Sequence, residues 1–193
     1  MHTFFALLSR MKYIDRWALM RSTHRETLSE HTMEVAVLAH ALAVIGNTYL
    51  GKSYNPDRCA MVALYHDATE IITGDMPTPV KYKNPGLSAA YKAMEAETEE
   101  KLLSMLPAEM QAAYAPLLSP EKDETLRLVK AADKLSAYIK CIEEEKSGNR
   151  EFSSAKETIK EALMKNGVEE VQLFFTLFIE GYGKTLDTLS LGM

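Results

Sequence analysis

The sequence predicts an all-α, single-domain protein. Apolar residues recur at helical spacing along almost all of its 193 residues, and no run alternates apolar and polar side chains as a half-buried strand would. Hydrophobic residues make up 47% of the chain and charged residues 25%, which is typical of a globular protein. No internal repeat or shift in composition divides the chain. We therefore expect one domain over residues 1–193.

Capping residues predict where the first helices begin and end. A short helix is expected over residues 4–13. Thr27 and Glu30 have the spacing of a capping box, ahead of a second helix that runs to about residue 48. Asn55, followed by a proline, caps a third helix that we expect to continue to about Ile72.

The second half of the chain is predicted to be helical as well. The expected elements are an amphipathic helix over 87–106, a shorter piece after Pro107, a long helix opened by Ser119 and Pro120 that runs to Gly148, and two closing helices over 153–167 and 168–180. The longest irregular stretch, Gly74–Gly86, directly follows the third helix. A loop of that length is a common place for a binding site.

Charge and cysteine content exclude several classes of protein. The net charge of -5 gives no general attraction for a nucleic acid polymer or an anionic membrane. No apolar run approaches the roughly 20 residues of a membrane span, and the N-terminus does not have the pattern of a signal peptide. Cys59 and Cys141 both lie in apolar helical patterns, which predicts buried thiols. A cytoplasmic protein is expected.

Three polar side chains stand on helix faces that otherwise have the pattern of core, His31, His66 and Asp133, and a fourth, Asp67, directly follows His66. A lone histidine on such a face is more often a structural residue. An unpaired buried carboxylate, however, costs several kcal/mol. One divalent cation would satisfy all four groups, and two imidazoles with two carboxylates suit Mn²⁺, Co²⁺, Fe²⁺ or Zn²⁺.

The order His31, His66-Asp67, Asp133, within "SEHT", "LYHDATE" and "KAADKL", resembles the HD-domain metal-dependent phosphohydrolases. "RWALMR", "HDATEIITGDMPTPVKY" and "VKAADKLSAYIKCIEE" are similar to a narrower group, the bacterial 5′-deoxynucleotidases. The resemblance covers roughly residues 4–145. It implies a helical HD domain with its core over about 27–147, an N-terminal helix that contacts substrate, and additional C-terminal helices.

The resemblance also implies a role for each site residue. The metal ligands would be His31, His66, Asp67 and Asp133, and the cofactor one divalent transition metal, Co or Mn, with Fe, Zn or Cu as alternatives. Glu70 would be the catalytic acid or base, and Arg16 would hold the phosphate during catalysis. Substrate contacts would come from Arg16, Trp17, His31, Asp67, Asp75, Met76, Pro77 and Thr78. Met76 stands where a leucine is more usual in the group.

The implied activity is hydrolysis of 2′-deoxyribonucleoside 5′-monophosphates to deoxynucleoside and phosphate. No histidine follows His66, so the additional ligands of two-metal HD enzymes are missing. A nucleoside triphosphate hydrolase would need more positive charge than Lys81 and Lys83 offer, and a metal-dependent nucleotide sensor without turnover would not need Glu70. The resemblance further suggests a homodimer, and "VQLFFTLFIEGY" is compatible with core or interface.

Overall fold

The computed structural model describes residues 1–81 and 84–189, with the backbone alone for Thr78 and Pro79. The α-helices of the described part are α1 (Phe4–Leu8), α2 (Leu28–Tyr49), α3 (Pro56–Tyr65), α4 (Glu70–Thr73), α5 (Thr78–Lys81), α6 (Pro85–Ser104), α7 (Ala108–Leu118), α8 (Glu124–Lys146), α9 (Ser153–Lys165) and α10 (Glu169–Leu177). Short 3-10 helices cover Ser9–Tyr13, Arg150–Phe152, Ile179–Gly183 and Leu186–Thr188. Within the described ranges, extended pairing is limited to one antiparallel bridge between Asp15 and Thr27. The predicted all-α fold is confirmed.

Helix α2 is the centre of the core. Its N-terminus carries the predicted capping box, in which Thr27 and Glu30 each accept a hydrogen bond from the other's backbone N–H. Side chains at helical spacing along α2 are almost completely buried against α3 and α8, namely Leu28, His31, Val35, Leu38, Leu42 and Ile45. Each large apolar side chain buried in this way contributes about 1.5–3 kcal/mol.

By length and composition alone, α2 could cross a membrane, contrary to the expectation that no segment approaches the required length. In the most apolar 18-residue segment of this helix, 56% is buried inside the fold. The same helix carries Glu30, His31 and Glu34. Its apolar composition is accounted for by its place at the centre of the protein core.

A second, smaller apolar cluster lies next to the main core. It contains Phe4 of α1, Ala68, Leu102 and Leu106 near the end of α6, and Leu118 of α7. The turn after α3 therefore has an anchor at each end, because Ala63 is buried in the main core and Ala68 in the second cluster. Asp67 lies between these two anchors.

The third helix is shorter than the sequence predicts. It ends at Tyr65, and a separate helix, α4, begins at Glu70. The reason is local: the Nδ1–H of His66 donates to the Ala63 carbonyl at 2.7 Å, and the His66 backbone N–H donates to the same oxygen. A continuous α-helix would need that carbonyl for residue 67. The expectation of one helix to Ile72 was wrong.

Three other boundaries also differ. Asp123, whose side chain accepts from the Leu126 N–H, caps α8, so the long helix does not begin at Ser119. The last predicted helix divides into α10 and a 3-10 helix, and the predicted loop contains the short helix α5. Cys59 and Cys141 are buried free thiols, as predicted.

Candidate active site and metal centre

Three of the four predicted metal ligands converge on one point. His31 comes from the first turn of α2, His66 from the turn after α3, and Asp133 from the middle of α8. One ligand atom from each lies within 4.8 Å of the others. The Oδ2 atom of Asp67 lies 3.0 Å from His66 Nε2 and 3.5 Å from His31 Nε2. All four side chains therefore border the same small volume.

The two histidines present free ring nitrogens to this volume. Among the described residues, neither buried Nε2 atom makes a well-directed hydrogen bond, although carboxylate oxygens of Asp67 and Asp133 lie 3.0 Å from His66 Nε2 and 3.1 Å from His31 Nε2. The Nδ1 atoms are occupied, that of His66 by the Ala63 carbonyl at 2.7 Å and that of His31 by Ser136 Oγ at 3.0 Å. A donor hydrogen on Nδ1 leaves the Nε2 lone pair available to a metal. The donor set therefore fits a divalent cation.

The charges around this volume also favour a cation. Burial opposes a charged imidazole, yet the carboxylates of Asp67 and Asp133 raise the pKa of His66 to about 9. Burial likewise opposes ionisation of Asp133, but His31, His66 and Arg16 lower its pKa. The local field thus favours positive charge between the imidazoles and the carboxylates.

Two residues that sequence reasoning missed support His31. Ser136 Oγ accepts from His31 Nδ1 and donates to Glu34 Oε2 at 2.5 Å. Ser136 lies one helical turn after Asp133, and Glu34 lies one turn after His31. Burial raises the pKa of Glu34 to about 7. The chain of hydrogen bonds fixes the orientation of the His31 ring.

Glu70 is a buried carboxyl with an unused oxygen. Glu70 is the first residue of α4 and is only 8% exposed. Within the described chain, its Oε2 atom has no hydrogen-bond partner. Burial and the neighbouring carboxylates of Asp67 and Asp75 raise the pKa of Glu70 to about 9, against the opposing effect of Arg16. At neutral pH it therefore holds a proton that it could donate.

Arg16 and Trp17 lie beside these groups. The Arg16 Nη1 atom is 3.7 Å from Asp67 Oδ2, and its Nε donates to Glu26 Oε2 at 3.3 Å. The Trp17 indole N–H donates to the same Glu26 oxygen at 2.7 Å. Only 12% of the Arg16 side chain is exposed. The guanidinium therefore lies at the edge of the His31, His66 and Asp67 cluster.

The loop after α4 closes another side of the site. Gly74 turns the chain with a φ of 72°, a conformation that suits glycine, and its carbonyl accepts from the Tyr91 hydroxyl. Asp75, Met76 and Pro77 follow and are partly buried. Burial raises the pKa of Asp75, against the opposing charge of Arg16. The side chain of Thr78, like Tyr82 and Lys83, lies outside the described residues.

The site is defined by its side chains rather than by the size of a cavity. A surface cavity of about 660 Å³ lies between residues 21–23 and 147–151 and contains none of the predicted site residues. Those residues come instead from the segment before α2, from α2 itself, from the turn and loop around α4, and from α8.

Comparison with known proteins gives the family. The family described as 5′-deoxynucleotidase YfbR-like matches residues 3–182. A 5′-deoxynucleotidase of Photorhabdus temperata is 47% identical over 193 residues, which cover 99% of this chain and 98% of that protein. A 5′-deoxynucleotidase of Vibrio cholerae is 46% identical over 190 residues and 97% of each chain.

Solved structures show the same fold. An HD-domain phosphohydrolase from Listeria innocua superimposes with a TM-score of 0.80 at 22% identity, covering 93% of this chain and 88% of that one. A cyanophage S-2L HD phosphohydrolase, bound to dA and one catalytic Zn²⁺ ion, gives a TM-score of 0.62 at 21% identity, covering 91% and 96%. The chain belongs to the YfbR-like family of 5′-deoxynucleotidases, which here has the helical HD-domain fold.

Proposed function

We propose that this site hydrolyses 2′-deoxyribonucleoside 5′-monophosphates to deoxynucleoside and phosphate. The chain is a phosphoric monoester hydrolase of the family whose relatives are named for that reaction. The observation that carries the assignment of the site is the pair of buried, unpartnered Nε2 atoms beside Asp67 and Asp133. Arg16 lies 3.7 Å from Asp67, and the buried carboxyl of Glu70 feels the charges of Asp67 and Asp75.

His31, His66, Asp67 and Asp133 would hold one divalent transition metal. When bound, such an ion withdraws charge from a phosphoryl oxygen and lowers the pKa of water. Cobalt or manganese is the proposed metal, with iron, zinc and copper as alternatives, because the ligand set accepts all of them. The solved cyanophage phosphohydrolase is bound to one catalytic Zn²⁺ ion.

Arg16 would bind the phosphate. A guanidinium offers forked donors that match two phosphate oxygens. Its Nε is held by Glu26 at 3.3 Å, whereas the Nη1 contact with Asp67 is looser at 3.7 Å, so the terminal nitrogens are the ones available to substrate. Trp17 would form the wall that leaves no room for a 2′-hydroxyl.

The other predicted contacts complete the pocket. Asp75, Met76, Pro77 and Thr78 would line it, and the two prolines of this loop reduce the entropy lost on binding. His31 and Asp67 would contact the phosphate as well as the metal. The methionine at Met76 is apolar and similar in volume to leucine, so it preserves the lining.

Glu70 would transfer the proton. A carboxyl that is protonated at neutral pH can donate to the 5′-oxygen as the phosphorus–oxygen bond breaks, which leaves the deoxynucleoside as a neutral alcohol, and the resulting carboxylate can take back a proton from the water that has attacked phosphorus. The attacking water would approach from the opposite side of phosphorus, roughly in line with the departing oxygen. Arg16 and the ligand cluster fix the phosphate between the two.

The test is phosphate release from dAMP, AMP and dATP after chelation, and then with Mn²⁺, Co²⁺ or Mg²⁺ added back. Metal-restored release from dAMP, with AMP a poor substrate, is the expected result. Equal rates on dAMP and AMP would remove the selectivity assigned to Trp17. Preference for dATP would indicate a triphosphate hydrolase, although Lys81 is paired with Glu95 at 2.8 Å. Metal binding without release from any nucleotide would indicate a sensor.

The domain boundaries, the cellular compartment and the oligomeric state are also proposals. We infer one folding unit over residues 1–193 with its core over 27–147, in a cytoplasmic homodimer. Free buried thiols suit a reducing compartment. Met33, Val37 and Val44 form an exposed apolar stripe on the outer face of α2 that a second copy could cover. Light scattering would give a dimer mass if this is correct and a monomer mass if it is not.

A further inference from the structure

Glu26 bonds to two adjacent residues of the proposed site through one oxygen. Its Oε2 atom accepts from Trp17 Nε1 at 2.7 Å and from Arg16 Nε at 3.3 Å. Only 10% of the Glu26 side chain is exposed. Arg16 and Trp17 follow each other in sequence, so without a common partner their side chains would be free to point in different directions.

The backbone places Glu26 opposite Arg16. The bridge between Asp15 and Thr27 brings the two strands of chain together, and the Arg16 N–H donates to the Glu26 carbonyl at 3.0 Å. Thr27 caps α2, and Leu28, its first residue, is fully buried. Glu26 is therefore attached to the rigid start of the helix that carries His31.

Trp17 has a backbone conformation that needs support. Its φ is 60°, the one positive φ among the described non-glycine residues, in a region that bulky side chains rarely adopt. Two contacts hold it: the indole N–H donates to Glu26 Oε2 at 2.7 Å, and the ring lies edge-on to Phe152 with a centroid separation of 5.1 Å. Strain of this kind persists where the surroundings fix it, which is common at binding sites.

We propose that Glu26 is a positioning residue that fixes the phosphate-binding guanidinium of Arg16 and the sugar-facing indole of Trp17 relative to each other. This inference rests on the function proposed above and extends it. Binding of the phosphate and discrimination against a 2′-hydroxyl then depend on a single carboxylate. That carboxylate holds Arg16 by its Nε and leaves both terminal nitrogens for phosphate oxygens.

The experiment uses Glu26→Gln and Glu26→Ala in the metal-loaded protein, with Asp15→Asn as the matched control. Asp15 is an exposed carboxylate of the same segment, and its side chain is paired with Arg25 rather than with Arg16 or Trp17. Steady-state kcat and KM are measured for dAMP and AMP. The emission of Trp17, the single tryptophan of the chain, and its quenching by acrylamide are measured without nucleotide.

Glutamine keeps an acceptor for the indole but removes the charge that faces the guanidinium. We expect Glu26→Gln to raise KM for dAMP by about 10-fold, while the preference for dAMP over AMP stays within about 2-fold of the wild type. Alanine removes both contacts. We expect Glu26→Ala to reduce that preference by about 10-fold and to increase the quenching of Trp17. Asp15→Asn should match the wild type in every readout.

A purely structural role would appear differently. Wild-type KM, wild-type preference and unchanged quenching in Glu26→Ala, with only the active fraction reduced, would overturn the proposal. So would equal loss of preference in Glu26→Gln and Glu26→Ala, because glutamine still offers an acceptor to the indole. If the wild type releases no phosphate from dAMP, the proposed function fails, and the quenching of Trp17 alone decides whether Glu26 holds the indole.

Discussion

Replacing Glu70 by glutamine is expected to remove turnover and at the same time to stabilise the metal-free protein. Glutamine has nearly the shape of a protonated glutamate and is neutral, as Glu70 is in the fold at pH 7, where its pKa is about 9. The substitution therefore leaves the packing of α4 unchanged and removes only the proton that Glu70 is proposed to transfer. A positioned general acid contributes about 10²–10⁴-fold to the rate, so kcat should fall by that factor.

The stability effect follows from the same pKa. In the unfolded chain Glu70 has the ordinary value of 4.5 and is ionised at pH 7, so folding at that pH must bind a proton. A raised pKa contributes stability that is complete below pH 4.5 and is lost as the pH rises towards 9. From 4.5 to pH 7 the loss is about 3 kcal/mol at most, at roughly 1.4 kcal/mol per pH unit. The Glu70→Gln variant does not lose this stability, because glutamine is neutral in both the folded and the unfolded chain.

The assays are steady-state phosphate release with bound metal, metal content, and urea unfolding of the chelated protein at pH 7. Glu97→Gln, on the exposed face of α6, is the matched control and should change none of them. A Glu70→Gln protein with more than a tenth of the wild-type kcat would refute the acid role. A variant less stable than the wild type would refute the argument from burial.

Three further predictions concern the rest of the site and its support. Asp133→Ala should lower cobalt affinity in calorimetry by at least the roughly 10–100-fold that follows loss of a supporting hydrogen bond, and full occupancy would remove it as a ligand. Because the pKa of Glu34 is raised from 4.5 to about 7, metal-free wild type should lose up to about 3 kcal/mol between pH 4.5 and 8 relative to Glu34→Gln; parallel profiles in urea would contradict this. Glu144→Ala should cost about 3–5 kcal/mol in urea unfolding, because it leaves the buried ammonium of Lys140 without its 2.6 Å carboxylate partner and removes the acceptor of the Thr23 and Asn149 donors; an unchanged urea midpoint would contradict this.

The convergence of the charged cluster was predictable because helix periodicity is a strong local signal. His31 and Asp133 each share a helix face with apolar core residues, so burying those faces brings the two side chains together. The structure places their ligand atoms, with that of His66, within 4.8 Å. Their roles as metal ligands stay predictions until a metal is measured.

The break after α3 could not be predicted from periodicity. It depends on one histidine, His66, whose ring competes for the Ala63 carbonyl, and apolar spacing carries no information about such a bond. The break matters for the chemistry. Because the helix ends there, the side chains of His66 and Asp67 both face the site, with His66 Nε2 3.0 Å from Asp67 Oδ2. The next helix, α4, begins at Glu70.

The supporting residues were missed because their partners are distant in sequence. Ser136 meets His31 across 105 positions, and nothing in the local pattern distinguishes it from any other small residue on a buried face. Glu26 lies in a polar segment that looks like a solvated loop. Its contacts with Arg16 and Trp17 depend on the bridge between Asp15 and Thr27, which brings the two segments of chain together.

The most direct measurement of the central claim is anomalous diffraction at the cobalt edge from crystals of the Glu70→Gln variant grown with Co²⁺ and dAMP. We expect one anomalous peak within coordination distance of the four proposed ligands, His31, His66, Asp67 and Asp133. The phosphate of dAMP should lie between that peak and Arg16. A peak elsewhere, a second peak of equal height, or nucleotide bound away from Arg16 would contradict it.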